Sequence, residues 1–225
     1  MFVAIDRTSK FAFVEFHEKA TTAVSREFLL RLIAAVPYKI HTVLTDNGIQ
    51  FTTPGAGGSA VPLIKEAIAN GERFRAHAFE YTCAQHDIDH RTTKAKHPWT
   101  KISSTRAVRA SPPATSSSGS RLPCTTTFSS SKASAIMYGG VDVSQNVKVE
   151  GMNRTIKGAT VRRFYYESHD QLRKHLASFV AAYNFARRLK TLKGLTPYEA
   201  ICKAWATQPD RFTSNPLHQM PGLNS

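Results

Sequence analysis

The chain has 225 residues, 41% of them hydrophobic, and 30 Lys+Arg against 16 Asp+Glu give a formal net charge of +14. That length holds one domain with a core, with or without tails; no run approaches the roughly 18 apolar residues of a membrane span, and three scattered cysteines, Cys83, Cys124 and Cys202, exclude a disulfide framework. The excess of base points to a polyanion held through phosphate contacts and counterion release, with nucleic acid as the first expectation and a basic surface without a specific partner as the alternative.

Residues 2–5 (FVAI) and 11–16 (FAFVEF) are apolar and aromatic, and the turn-forming run from Asp6 to Lys10 between them predicts a β-hairpin. Residues 22–35 set Val24, Phe28, Leu29, Leu32 and Ile33 at helical spacing, and Pro37 stops that helix. A β-rich run from Ile40 to Thr45 follows and ends in Asp46-Asn47-Gly48, a strong turn signal. Strand, helix and strand in this order predict an α/β topology. Residues 53–60 form a Gly-rich loop without the Gly-Lys-Ser/Thr of a phosphate-binding loop. Helical spacing resumes around 74–87, and an extended run covers Ile88 to Thr93.

Composition breaks from about Lys101 to Gln145, where Ser, Thr, Ala and Gly crowd the chain with neither a helical nor a strand period. Such a stretch buries too little apolar surface to offset its ordering entropy, so a disordered insertion is expected. Helical pattern returns from Asn146 through Thr160, and again from Ser168 to Arg188 with Leu172, Leu176, Phe179, Val180 and Tyr183 on one stripe. At Thr196-Pro197-Tyr198-Glu199 a last helix is signalled by a capping Thr, a Pro at the first helical position and the Glu of a capping box. The expected division is 1–100, a Ser-rich insertion at 101–145, a helical part at 146–209 and a loose tail at 210–225. Cys83, His86 and His90 superficially resemble zinc ligands, but a second Cys pair is absent, and ordinary core or surface histidines are the expectation. No nucleophile–histidine system stands out.

Several segments resemble, in order, the integrase catalytic core of insertion-sequence transposases related to retroviral integrases. They are FVAIDRTSKFAFVEF (2–16), LTDNGIQFT (44–52), HDIDHRTTKAKHPWT (86–100), NVKVEGMNRTIKGATVRRF (146–164) and FVAAYNFARRLKTLKGLTPYEAI (179–201). The resemblance leaves out the Ser-rich stretch and the tail. It implies an α/β, ribonuclease-H-like core with a mixed sheet flanked by helices, here missing its first strand. It also implies DNA integration and transposition through metal-dependent cutting and strand transfer, with DNA as partner and a homo-oligomer in the ancestral form. Three carboxylates, Asp, Asp and Glu, would hold Mg²⁺ or Mn²⁺, because in-line displacement at phosphorus is served by two hard cations on oxygen ligands.

On that resemblance Asp46 matches the second carboxylate and Glu150 the third, both as catalytic and metal ligands. Asn153, Arg154 and Lys157 share a helix face with Glu150, and with Arg162, Arg163, Arg187 and Arg188 they are candidate DNA contacts. The family's first carboxylate lies on a strand preceding the one like FVAID, which places it upstream of Met1. Asp6 then reads as an ordinary hairpin-strand end, with a metal role as the alternative. The pattern departs further at Val147, where the family has Gly, and at Gly151, where it has Arg. Both the lost strand and the insertion imply a catalytically impaired chain; a non-catalytic basic module that binds nucleic acid is the alternative. Trp99 is a packing residue or a DNA-end contact. The opening MFVAIDRTSK has neither the basic start nor the apolar stretch of a signal peptide, so the expected location is cytoplasmic, nucleoid-associated where DNA is bound.

Overall fold

A computed structural model describes residues 1–53, 58–93, 133–138 and 147–219. The hairpin is present as β1 (Phe2–Asp6) and β2 (Ala12–Glu15), antiparallel with Val3 opposite Val14. Helix α1 (Thr22–Ala35) starts where Thr21 accepts the Val24 amide through its side chain. Strand β3 (Thr42–Thr45) pairs in parallel with β4 (Asp89–Thr92). Between them lie α2 (Val61–Ala69), which the periodicity did not reveal, and α3 (Ala78–Gln85). The later helices are α4 (Val147–Ala159), α5 (His169–Phe185) and α6 (Pro197–Thr207). The expected capping box of α6 forms in full: the Thr196 hydroxyl accepts the Glu199 amide, and the Glu199 carboxylate accepts the Thr196 amide.

One expectation is corrected at the centre of the molecule. The Ser-rich stretch 101–145 was read as carrying no regular structure, yet residues Ala133–Tyr138 form strand β5. The sheet order is β2-β1-β5-β3-β4, so β5 is the middle strand. It runs parallel to β1, with Ala4 opposite Ala135, and antiparallel to β3, with Leu44 opposite Ile136. A strand bonded on both edges gains its ladder from its neighbours, which is why its own sequence shows no period. The rest of that stretch lies outside the described residues.

Every residue of β1 is buried. Alternation sends Phe2 and Ala4 to one face of the sheet and Val3 and Ile5 to the other. Phe2 and Ala4 join Phe28, Leu32, Phe51, Phe79, Ile88 and Ile201 in a cluster under α1, α3 and α6. Within it the Phe51 ring meets Phe2 and Phe79 edge-on at 6.0 and 5.0 Å, a geometry that adds to area burial. Val3 and Ile5 meet Leu44, Val149, Met152, Ile156 and Leu176 under α4 and α5. A mixed sheet with helices on both faces is the architecture, as the α/β reading anticipated.

Edge strand β2 is stitched to α5 by one side chain. Buried Asn184 accepts the Ala12 amide at 2.9 Å and donates to the Ala12 carbonyl at 2.7 Å. Asn184→Ala strands both backbone groups in the interior, and a loss of about 2–3 kcal/mol is expected. A urea midpoint equal to that of the parent chain would show that water satisfies Ala12 instead.

Candidate functional site

Asp46 stands one residue beyond β3, half-buried, at the start of the turn that was read from Asp46-Asn47-Gly48. One carboxylate oxygen accepts the Gly48 amide at 3.1 Å. Burial raises the pKa of this carboxyl, and the single amide bond offsets only part of that rise. Asn47 fastens the turn to the end of β4 by donating to the Thr93 carbonyl at 2.7 Å. Continuing the alternation of β3, Asp46 shares the Leu44 side of the sheet, which is the side that α4 covers.

Helix α4 presents Glu150 on that same side. Val149, Met152 and Ile156 are buried against the sheet, while Glu150 and Arg154 are exposed and Asn153 and Lys157 are half-buried. Glu150 and Arg154 thus stand on the solvent side of this helix, with Asn153 and Lys157 at its margin. Arg162 and Arg163, just past the helix, are exposed.

Asp6 is placed differently. By alternation it belongs with Phe2 and Ala4, on the α1 side of the sheet and away from α4. Its carboxylate accepts the Thr8 amide at 3.1 Å, the Ser9 amide at 3.0 Å and the Ser9 hydroxyl. The Tyr38 phenol, raised well above its ordinary pKa by burial and then by the Asp6 charge, lies on this side too. These bonds close the β1–β2 turn, which Lys10 finishes in the left-handed region at φ 63.

A buried polar cluster behind Asp46 escaped the sequence reading. Glu80 on α3, His90 on β4 and Thr45 on β3 are each 1% exposed. Thr45 Oγ1 and His90 Nε2 are 2.8 Å apart, and His90 Nδ1 lies 3.4 Å from Glu80 Oε1. The same carboxylate oxygen accepts the Ala60 amide at 2.9 Å and the Thr52 hydroxyl at 3.3 Å. Burial pushes the Glu80 carboxyl up, but the His90 and Ala60 hydrogen bonds prevail and hold it below its ordinary value. Thr45 directly precedes Asp46, so the cluster fixes the strand end on which Asp46 sits. Ordinary core or surface histidines were the expectation here, and His90 is a core histidine; its pairing with Glu80 and Thr45 is what the spacing did not reveal.

Arg187 and Arg188, both candidate DNA contacts, have structural partners. Arg188 donates to the Gly194 carbonyl at 3.0 Å and approaches Glu199 at 3.7 Å, which ties α5 to the start of α6. Arg187 stacks over the Tyr183 ring at 5.7 Å. Trp99 lies outside the described residues. Buried Cys83, exposed His86 and buried His90 assemble no ligand set; among the described residues, no three His, Cys, Asp or Glu side chains gather as a metal site. Among the same residues no helix is long and apolar enough to cross a membrane.

Comparison with protein families matches residues 134–197, less than half of the chain, to the integrase core domain. The matched stretch takes in α4 and α5, with Glu150 and all the candidate DNA contacts, and stops at the first residue of α6. Asp46 lies outside it. No curated protein matches the chain. Over residues 134–197 the chain is therefore similar to the integrase core domain family.

Proposed function

We propose that this chain is a catalytically impaired descendant of a metal-dependent DNA-transposing core that still binds DNA through its basic surface. The fold is read as a ribonuclease-H-like core with β5 as the middle strand of its sheet. One observation carries the impairment: the Asp6 carboxylate is engaged by Thr8 and Ser9 on the sheet face opposite α4. A pair of Mg²⁺ or Mn²⁺ ions needs converging carboxylates. Asp46 and Glu150 are the two acids on the α4 side that the sequence resemblance assigns, and two do not make the family's set of three. The donor set does not fit the two-metal arrangement, so this reading routes no step through a metal.

DNA binding is supported by the integrase match, by the net charge of +14 and by the exposed Arg154, Arg162 and Arg163. Binding of this kind falls steeply with salt and needs no divalent ion. A gel-shift titration of a duplex oligonucleotide from 50 to 300 mM salt, with and without EDTA, is expected to show equal binding in both and a steep salt slope. An end-joining assay in Mn²⁺ is expected to give no product. Joining that Asp46→Asn abolishes would overturn the impaired reading and restore an active transposase.

A further inference from the structure

The link between α4 and α5 reads Arg162-Arg163-Phe164-Tyr165-Tyr166 and combines two bases with exposed aromatic rings. Phe164 is 53% exposed and Tyr165 is 82% exposed, the highest value among the large apolar side chains in view. An exposed tyrosine on a frayed loop would mean little, but this link is braced. The amides of Arg163 and Phe164 both bond the Thr160 carbonyl, and the Arg162 amide bonds the Lys157 carbonyl. Thr160 is itself buried and back-bonds to the Ile156 carbonyl at 2.7 Å.

The neighbouring rings are fixed as well. His175 on α5 meets the Phe164 ring edge-on at 5.0 Å, and its Nδ1 lies 2.5 Å from the Tyr166 hydroxyl. Tyr165, between these two anchored rings, is the one left projecting. Arg162 and Arg163 flank it with no carboxylate partner among the described residues, and Lys174 is exposed on α5 nearby in sequence. Glu167 and Asp170 are the local acids, and Asp170 is engaged by Arg173 at 2.8 Å.

The geometry points to a binding site for single-stranded DNA in which Tyr165 stacks on an unpaired base and Arg162 and Arg163 hold the adjoining phosphates. Guanidinium forks match phosphate oxygens, and an aromatic face accepts any base that is out of its stack. Paired bases in a duplex keep their faces covered, so Tyr165 has nothing to stack on there. An apolar protein partner would leave both arginines unmatched. This site deepens the DNA-binding reading and rests on it, by naming the strand state that the link prefers.

The test uses the full chain and fluorescence anisotropy with a labelled single strand and the matching duplex, each at several salt concentrations. Tyr165→Ala is expected to weaken single-strand binding about ten-fold and to leave duplex binding and the salt slope unchanged. Tyr165→Trp is expected to restore binding, with tryptophan quenching on the single strand. The pair Arg162→Gln and Arg163→Gln is expected to weaken both DNA forms and flatten the salt slope. Since Tyr165 is almost wholly exposed, its replacement leaves the core intact, which circular dichroism checks. Undiminished single-strand binding by Tyr165→Ala, with duplex binding retained, would refute the stacking site alone. Absence of binding to either DNA form at low salt would sink this site and the DNA-binding reading together. Tyr165-dependent capture by phosphatidylglycerol vesicles, in a chain that does not distinguish the two DNA forms, would reassign the link to a lipid surface.

Discussion

Proline at Ala135 is expected to remove the sheet as a cooperative unit, with a loss of about 1–3 kcal/mol from the stranded ladder acceptor alone. Strand β5 has β1 on one side and β3 on the other, so each of its amides faces a neighbouring strand. Ala135 itself stands opposite Ala4 in β1 and Thr45 in β3. Proline supplies no N–H and bars close pairing, so one ladder bond is lost outright and its neighbours are distorted. The consequence is larger than for an edge strand, because within the sheet the ladders of β1-β2 and β3-β4 connect through β5. Urea denaturation followed by far-ultraviolet circular dichroism is expected to show an earlier, broader transition. Proline at Val14 of edge strand β2 serves as the control, with a smaller loss. An unchanged midpoint for Ala135→Pro would mean that the two halves of the sheet hold together without β5.

The second large effect lies behind Asp46. Glu80→Ala leaves the Thr52 hydroxyl and the Ala60 amide without their shared acceptor in the interior and takes the carboxylate away from His90. A loss of about 3 kcal/mol is expected, since breaking a buried polar pair costs far more than removing an exposed one. Glu80→Gln keeps an oxygen for the amide and the hydroxyl and is expected to lose less. The pH dependence separates charge from shape. The folded-state pKa of Glu80 is held below the ordinary 4.5, so its stabilising share is complete above that value. It is lost as pH falls from there through the lowered folded-state pKa. Stability of the parent chain should therefore decline more steeply than that of Glu80→Gln on acidification below pH 4.5. Parallel acid limbs for the two proteins would show that the carboxylate charge contributes nothing here.

Much of the fold was legible because local chemistry dictated it. Helix α1 begins and ends where the Val24–Ile33 periodicity and Pro37 set it, and the Thr196 box formed as read. The α5 stripe was legible too: Leu172 and Leu176 are buried, and Phe179, Val180 and Tyr183 pack beside them. What escaped was set by distant partners. β5 has a composition that signals no structure, and its pairing comes wholly from β1 and β3. α2 was hidden behind Pro62, which reads as a breaker until it falls in a first helical turn. At the site, Asp46 and the α4 face were visible as motif residues, whereas Glu80 is one helix away in space and many positions away in sequence. Nothing in the spacing of Thr45, Glu80 and His90 pairs them before the chain has folded.

The placement of β5 also sets an order of events during synthesis. Strands β1 to β4 leave the ribosome well before Ala133–Tyr138 has been made. In that interval β1 and β3 each offer a bare backbone edge, and β1 carries apolar side chains on both faces. Such edges pair readily with those of neighbouring nascent chains. The segment that looks least like structure is thus the one that closes both edges, and it is translated only after the strands it covers.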